Sequence, residues 1–392
     1  MRQFNTSIKL LMESKNEYDL THREQSTFLS DWDVEVDTKP HGILLNNDLV
    51  NPCSSNVNSY YYWTDEHGYA PLFASYYKQK YNQKINLDTF LIGNNGTSSI
   101  MLSMIALGEL SINRILVFTP VYFCTLNLLE MLKFQIYRYD LKMDDNFQIN
   151  FEELDGYIRN NRIEVLFVTD PVFGTGVEHT IQTYSKLSQI IKKYNLSIII
   201  DYMYGGMLWA DKNFIFNTKS HYIINNIPNL IFIESITKRM FINGIKFSLI
   251  FSSPTIIRKI KRLSIYTTGS MCLNQLEIFK NTYITKNIEA INKIIFDNAN
   301  KASNMYKKIC SFLIGKNCII SNCNSSFFFV LGLPKVNEKD DIEIALNLLK
   351  SRGILTIPHS RYLLENDRYY CFRVNLLLRE EILFDGISKI IF

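Results

Sequence analysis

This 392-residue chain has no excess of one charge, no paired cysteines and no long apolar run. Its 42 lysines and arginines face 38 aspartates and glutamates, so a formal charge of +4 gives little hold on a nucleic-acid backbone. The basic residues are scattered, and a short cluster such as Arg258-Lys259-Ile260-Lys261-Arg262 reads as the exposed side of a helix. Seven cysteines (Cys53, Cys124, Cys272, Cys310, Cys318, Cys323, Cys371) are odd in number and lack the close pairs of a zinc site. Reduced thiols in a cytoplasmic protein without a metal are expected. No apolar stretch approaches the roughly 18 residues of a membrane span. Met1 to Glu13 lacks a signal-peptide core and cleavage site, so a soluble intracellular protein is expected. Internal repeats and low-complexity tracts are also missing.

What is present is ample core material, 47% hydrophobic residues, over a length that suggests two or three domains. The first fifty or so residues are polar and broken by Pro40, Gly42 and Pro52, with Ile43-Leu44-Leu45 the one short strand, and read as an arm. Tyr60-Tyr61-Tyr62-Trp63 reads first as packing, although such amphipathic rings also suit pockets and subunit contacts. Gly68 opens a helix through Tyr81. From there to Phe251 strand and helix patterns alternate, the mark of an α/β domain with a mainly parallel sheet.

Strands are expected at Phe90 to Ile92, Arg114 to Phe118, Phe134 to Tyr139, Glu164 to Val168, Leu196 to Ile200 and Leu230 to Glu234. After the first comes the turn Gly93-Asn94-Asn95-Gly96-Thr97-Ser98-Ser99 and a helix from Ile100, a weak anion-site signal without the spacing of a Walker loop or a dinucleotide fingerprint. Helices are expected at Ile181 to Tyr194 and Pro254 to Leu263. The Gly96 turn, Tyr122, Asp170, Asp201 and Lys238 all fall just past the carboxyl ends of separate strands, where open α/β sheets bind ligands.

Lys238 is the candidate nucleophile. An apolar, β-branched run ends at Ser235, and the hydroxyls of Ser235 and Thr237 flank the approach to the lysine. Arg239 and Lys246 are cationic neighbours that would favour its neutral form. The alternative is one more solvated lysine in a lysine-rich chain. Beyond Phe251 the pattern changes. Thr267-Thr268-Gly269-Ser270 leads into long helical stretches to about Leu313, then strands at Ser325 to Val330, Gly353 to Ile357 and Tyr369 to Leu376 with helices at Ile342 to Arg352 and from Arg379. This reads as an α+β second domain.

These residues resemble, from about Asn46 to the C-terminus, the fold-type I pyridoxal-phosphate enzymes of the class I/II aminotransferase (aspartate aminotransferase-like) family. Ser235-x-Thr237-Lys238 followed by Gly244-x-Lys246 is similar to the family's Ser-x-Ser-Lys and Gly-x-Arg pair, and Asp201-x-x-Tyr204 to its Asp-x-x-Tyr. The resemblance implies a large α/β domain over residues 60–282, with an arm and part of the small domain in 1–59 and the rest of the small α+β domain in 283–392. It implies that Lys238 forms the internal aldimine with pyridoxal 5'-phosphate and shuttles a proton, that Asp201 pairs with the pyridinium nitrogen, and that Tyr204 bonds the 3′-oxygen. Gly96, Thr97 and Ser98, with Ser235 and Lys246, would cradle the phosphate; Tyr122 would stack on the ring; Asp170 and Phe173 would adjoin it. Arg373 would grip the substrate α-carboxylate by a bidentate fork. The alternative, less favoured beside the other matches, is a helix-capping Asp201 with Tyr204 in the core.

Two departures stand out. Phe173 occupies the place of an asparagine that donates to the cofactor 3′-oxygen, and Lys246 replaces an arginine, keeping charge but losing the fork. The expected reaction is amino transfer between an α-amino acid and a 2-oxo acid; a lyase or cyclase working by elimination, replacement or cyclisation is the alternative. A homodimer is implied, with Tyr62, Trp63 and the turn at Thr267 to Ser270 as contributors to the partner's site.

Overall fold

The computed structural model describes residues 2–22, 26–31, 69–209, 218–283, 285–335, 340–364 and 366–391. The chain opens with helix α1 (Arg2–His22) and the two-residue strand β1 (Thr27–Phe28). The large domain follows as α2 (Tyr69–Tyr81), β2 (Phe90–Gly93), α3 (Gly96–Gly108), β3 (Arg114–Thr119), α4 (Phe123–Met131), β4 (Gln135–Asp140), α5 (Phe151–Asn161), β5 (Val165–Thr169), α6 (Ile181–Tyr194), β6 (Ser197–Tyr202), α7 (Thr218–Asn226), β7 (Leu230–Glu234) and β8 (Ser248–Ser252). Helices α8 (Pro254–Thr267), α9 (Leu273–Thr282) and α10 (Thr285–Phe312) lead to β9 (Ile319–Ile320), β10 (Phe328–Pro334), α11 (Asp341–Arg352), β11 (Ile354–Leu355), β12 (Ile357–Pro358), β13 (Tyr369–Asn375) and α12 (Glu380–Ile391).

Seven strands form the main sheet in the order β2-β8-β7-β6-β5-β3-β4. Every pairing among β7, β6, β5, β3 and β4 is parallel, while β8 runs antiparallel to both β7 and β2. Strands β5, β6 and β7 are buried on both faces, as a sheet covered by helices on each side requires. Helix α6 carries its apolar stripe on Tyr184, Leu187, Ile190 and Ile191 and starts at Thr180, whose side chain accepts from the Thr183 N–H.

The reversal of β8 matters for function. Residues just before β8 reach the same edge of the sheet as residues just after β2, β3, β5, β6 and β7. A second sheet, β12-β13-β10-β9, and the parallel pair β1-β11 make up the C-terminal part.

Several expectations are corrected. Residues 2–22, read as a broken arm, form a helix; Leu11 is fully buried in it, packed with Ile342, Ala345 and Leu349 of α11, too sparse a stripe to stand out in sequence. Gly353 to Ile357 is two short strands in different sheets rather than one. Helices α4 and α5 add to the elements expected, and α8 runs on to Thr267. The strand at Ile43-Leu44-Leu45, the tyrosine cluster and Gly68 lie outside the described residues.

Candidate active site

Helix α3 begins earlier than the glycines suggested. Asn95 is its cap, its Oδ1 accepting from the Ser98 N–H at 2.9 Å, so Gly96, Thr97 and Ser98 form the first turn. The N–H groups at Gly96 and Thr97 have no carbonyl partner within the helix and carry its positive end. A Cβ at Gly96 would stand 2.8 Å from Met203 Sδ, so the Met203 side chain would have to shift to admit one.

Asp201 is the next-to-last residue of β6, paired in register with Thr169 on one side and Ile233 on the other. The residue is 5% exposed, and its carboxylate takes the Met203 N–H at 3.2 Å. Among the described residues no cation pairs with it, and burial raises its pKa to about 6, only partly opposed by the Met203 bond. Lys238 lies four residues beyond β7, with Nζ donating to Asn243 Oδ1 at 3.1 Å and standing 5.5 Å from the Tyr204 ring centre. Burial raises the Tyr204 hydroxyl well above the usual phenol range, and the Arg373 guanidinium opposes the shift.

These groups line one cavity of about 390 Å³, bounded by Asn95, Gly96, Thr97, Tyr122, Phe173, Asp201, Tyr204, Lys238 and Lys246, with Ile100, Met203, Thr237 and Phe247 between them. Lys246 and Phe247 arrive there because β8 starts at this edge.

Four expected residues are not on its wall. Asp170 points into a buried polar cluster instead: its oxygens take the His179 N–H at 2.9 Å, the Tyr184 hydroxyl at 2.8 Å and Lys219 Nζ at 2.7 Å. Ser98 directs its hydroxyl to the Asn95 carbonyl. Ser235 hydrogen-bonds the Thr237 hydroxyl at 2.9 Å and accepts the Thr237 N–H, so it shapes the turn while Thr237 faces the cavity. Arg373 is fully buried behind the wall, its Nη2 donating to the Ser30 carbonyl at 2.8 Å and its guanidinium 4.6 Å from the Phe328 ring centre.

Arg239, expected as a cationic neighbour of Lys238, pairs with Glu234 at 3.2 Å in the core. Tyr62 and Trp63 lie outside the described residues. Sequence reasoning gave no site role to Met203 or Asn243 and marked Thr237 only as flanking Lys238; an asparagine three residues before a serine at a helix start was a signal for Asn95, and nothing marked Met203.

The donor set fits pyridoxal phosphate. A buried carboxylate without a cation suits a protonated ring nitrogen, an amine shares the cavity with it, and a helix start beside Lys246 suits a phosphate. A mainly parallel sheet thus brings an amine, a carboxylate and an anion cradle to one edge, an arrangement suited to a cofactor-dependent α/β enzyme.

The sequence model of aminotransferase class I and II matches residues 54–383, and the chain belongs to that family. The family uses pyridoxal phosphate. The chain is 21% identical over 285 residues to an aspartate aminotransferase of Thermotoga maritima, covering 73% of this chain and 71% of the relative. It is 19% identical over 330 residues to one of Sulfolobus acidocaldarius, covering 81% and 77%. Among solved structures, the Thermotoga maritima aspartate aminotransferase superposes with a TM-score of 0.79 at 15% identity, over 98% of this chain and 95% of that one. An Escherichia coli protein with a methionine aminotransferase function gives 0.79 at 14%, over 98% and 96%. The chain is an aminotransferase, a transferase acting between amino acids and 2-oxo acids; no finding favours the elimination or cyclisation alternative. No helix among the described residues is long and apolar enough to cross a membrane.

Proposed function

We propose that this aminotransferase holds pyridoxal 5'-phosphate on Lys238 and that Lys238, Asp201 and Tyr204 carry the chemistry. When bound, the cofactor supplies an electrophilic carbon and an electron-withdrawing ring. The Lys238 amine would hold the cofactor and would serve as the base that takes the proton from the substrate Cα and gives it back. Asp201 would keep the ring nitrogen protonated, and the Tyr204 hydroxyl would serve the ring oxygen. Gly96 and Thr97 N–H groups and Lys246 would hold the phosphate, and Tyr122 would pack on the ring. Arg373, held behind the wall on the Ser30 carbonyl, would have to turn into the cavity to meet the substrate α-carboxylate.

One observation carries this reading: the buried Asp201 carboxylate, without a cation among the described residues, shares a cavity with the Lys238 amine. A homodimer and a cytoplasmic setting complete the proposal, the latter supported by six described cysteines that are all unbridged. The test is a half-reaction: amino acid added to the cofactor-loaded protein should shift its visible absorbance to the pyridoxamine form and release a 2-oxo acid. A loaded protein that no amino acid alters would contradict it.

A further inference from the structure

The Lys238 amine is met by a second side chain of its own turn. Asn243, five residues on, accepts from Lys238 Nζ through Oδ1 at 3.1 Å. A protonated lysine has donors only, so the oxygen of the amide faces it.

The turn fixes that oxygen. The Met240 N–H donates to the Ile236 carbonyl at 3.0 Å, the Phe241 N–H to the Lys238 carbonyl at 3.3 Å and the Ile242 N–H to the Thr237 carbonyl at 3.1 Å. Met240, Phe241 and Ile242 are buried, Phe241 takes a left-handed φ of +56°, and its ring centre lies 5.0 Å from that of Phe327. Arg239 is tied to Glu234. The chain is therefore anchored from Arg239 to Ile242, and Asn243 is set down within reach of the amine.

The other charged and titratable groups among the described lining residues are Asp201, Tyr122, Tyr204 and Lys246. Lys246 opposes a charge on the amine and an ionised Asp201 favours one, while the Tyr204 ring centre lies 5.5 Å from Nζ. Asn243 adds an acceptor without adding a charge. A hydrogen bond is stronger when its donor is charged, so this contact favours the ammonium over the neutral amine.

We propose that Asn243 is a further residue of the reaction, one that stabilises the Lys238 amine after it has taken the substrate Cα proton. The proposal rests on the function proposed above and adds a residue to it. The proton passes from Cα to Nζ, the C–H electron pair is left to the substrate carbon and the cofactor, and the new ammonium donates to Oδ1 until the proton is given back. The same contact works against loading, because only the neutral amine has the lone pair that adds to the cofactor aldehyde with loss of water. Loss of the acceptor should therefore speed loading and slow proton abstraction, whereas loss of a merely structural asparagine would not split the two.

The test compares Asn243→Ala and Asn243→Asp with the parent protein. Cofactor-free protein at neutral pH is mixed with pyridoxal phosphate, and the rise in visible absorbance is timed. Asn243→Ala should capture the cofactor at least about threefold faster, the worth of one modest hydrogen bond, and Asn243→Asp more slowly, since an anionic acceptor holds the ammonium harder. The loaded proteins are then given L-amino acids in deuterium oxide, and loss of the Cα proton signal is followed by NMR. Asn243→Ala should exchange that proton at least about threefold more slowly than the parent. Asn243→Asp keeps the acceptor and the side-chain size, so it reads the same contact should the alanine variant not fold. Capture that is not faster or exchange that is not slower in Asn243→Ala, or capture that is not slower in Asn243→Asp, overturns the proposal while the cofactor reading stands. A parent protein that takes up no pyridoxal phosphate overturns both.

Discussion

Arg239 Nη2 lies 3.2 Å from Glu234 Oε2, and the two side chains are 0% and 1% exposed. The residue after Lys238 is therefore anchored in the core, with the Ser220 hydroxyl also donating to Glu234. This pair fixes where the chain leaves β7 and so where Lys238 projects. Arg239→Met should destabilise the protein by about 3–5 kcal/mol, because Glu234 would be left as an uncompensated buried charge. Adding Glu234→Gln should recover part of the loss. Urea unfolding of the single and double variants checks this.

Asp201 gives a pH prediction. Its folded pKa is raised from 3.8 to about 6, so the folded state holds the proton more tightly than the unfolded chain. The stabilising preference is complete below pH 3.8 and is lost as pH rises through about 6. Without cofactor, Asp201→Asn should therefore be more stable than the parent above that range, by up to about 3 kcal/mol. The advantage should vanish near the unfolded value of 3.8, and cofactor affinity should fall in the same variant. Denaturation of the cofactor-free proteins across that window measures the difference.

Phe173 has no side-chain donor, so in the proposed function Tyr204 would be the partner of the cofactor's ring oxygen. Phe173→Asn should lower the pH at which the bound cofactor's visible absorbance changes by about one unit, the worth of one hydrogen bond to the deprotonated form. A spectrophotometric pH titration of the two loaded proteins reads it directly.

Lys219 is the sole cation facing Asp170 and Glu178 among the described ion pairs, at 2.7 and 2.6 Å. Lys219→Met should cost about 3–5 kcal/mol by stranding buried carboxylates. Thermal unfolding of the variant tests this.

Strand ends were the legible part of the sequence. The β-branched runs at β6 and β7 placed Asp201 and Lys238 at one edge, and α6 was expected over the Ile181 to Tyr194 it occupies. Side-chain direction after a strand end was not. Asp170 and Arg239 lie at or just past strand ends, as Asp201 and Lys238 do, yet both turn into buried ion pairs that periodicity does not encode. Helix α1 was hidden by its polarity, since a surface helix held mainly through Leu11 shows little pattern.

Attachment of the cofactor to Lys238 underlies every catalytic role proposed for the site. Borohydride reduction of the protein loaded with pyridoxal phosphate, followed by peptide mass mapping, should find the pyridoxyl group on Lys238 and no such group in Lys238→Ala. A modified lysine elsewhere, or an unmodified Lys238 peptide from a fully coloured preparation, would contradict that assignment.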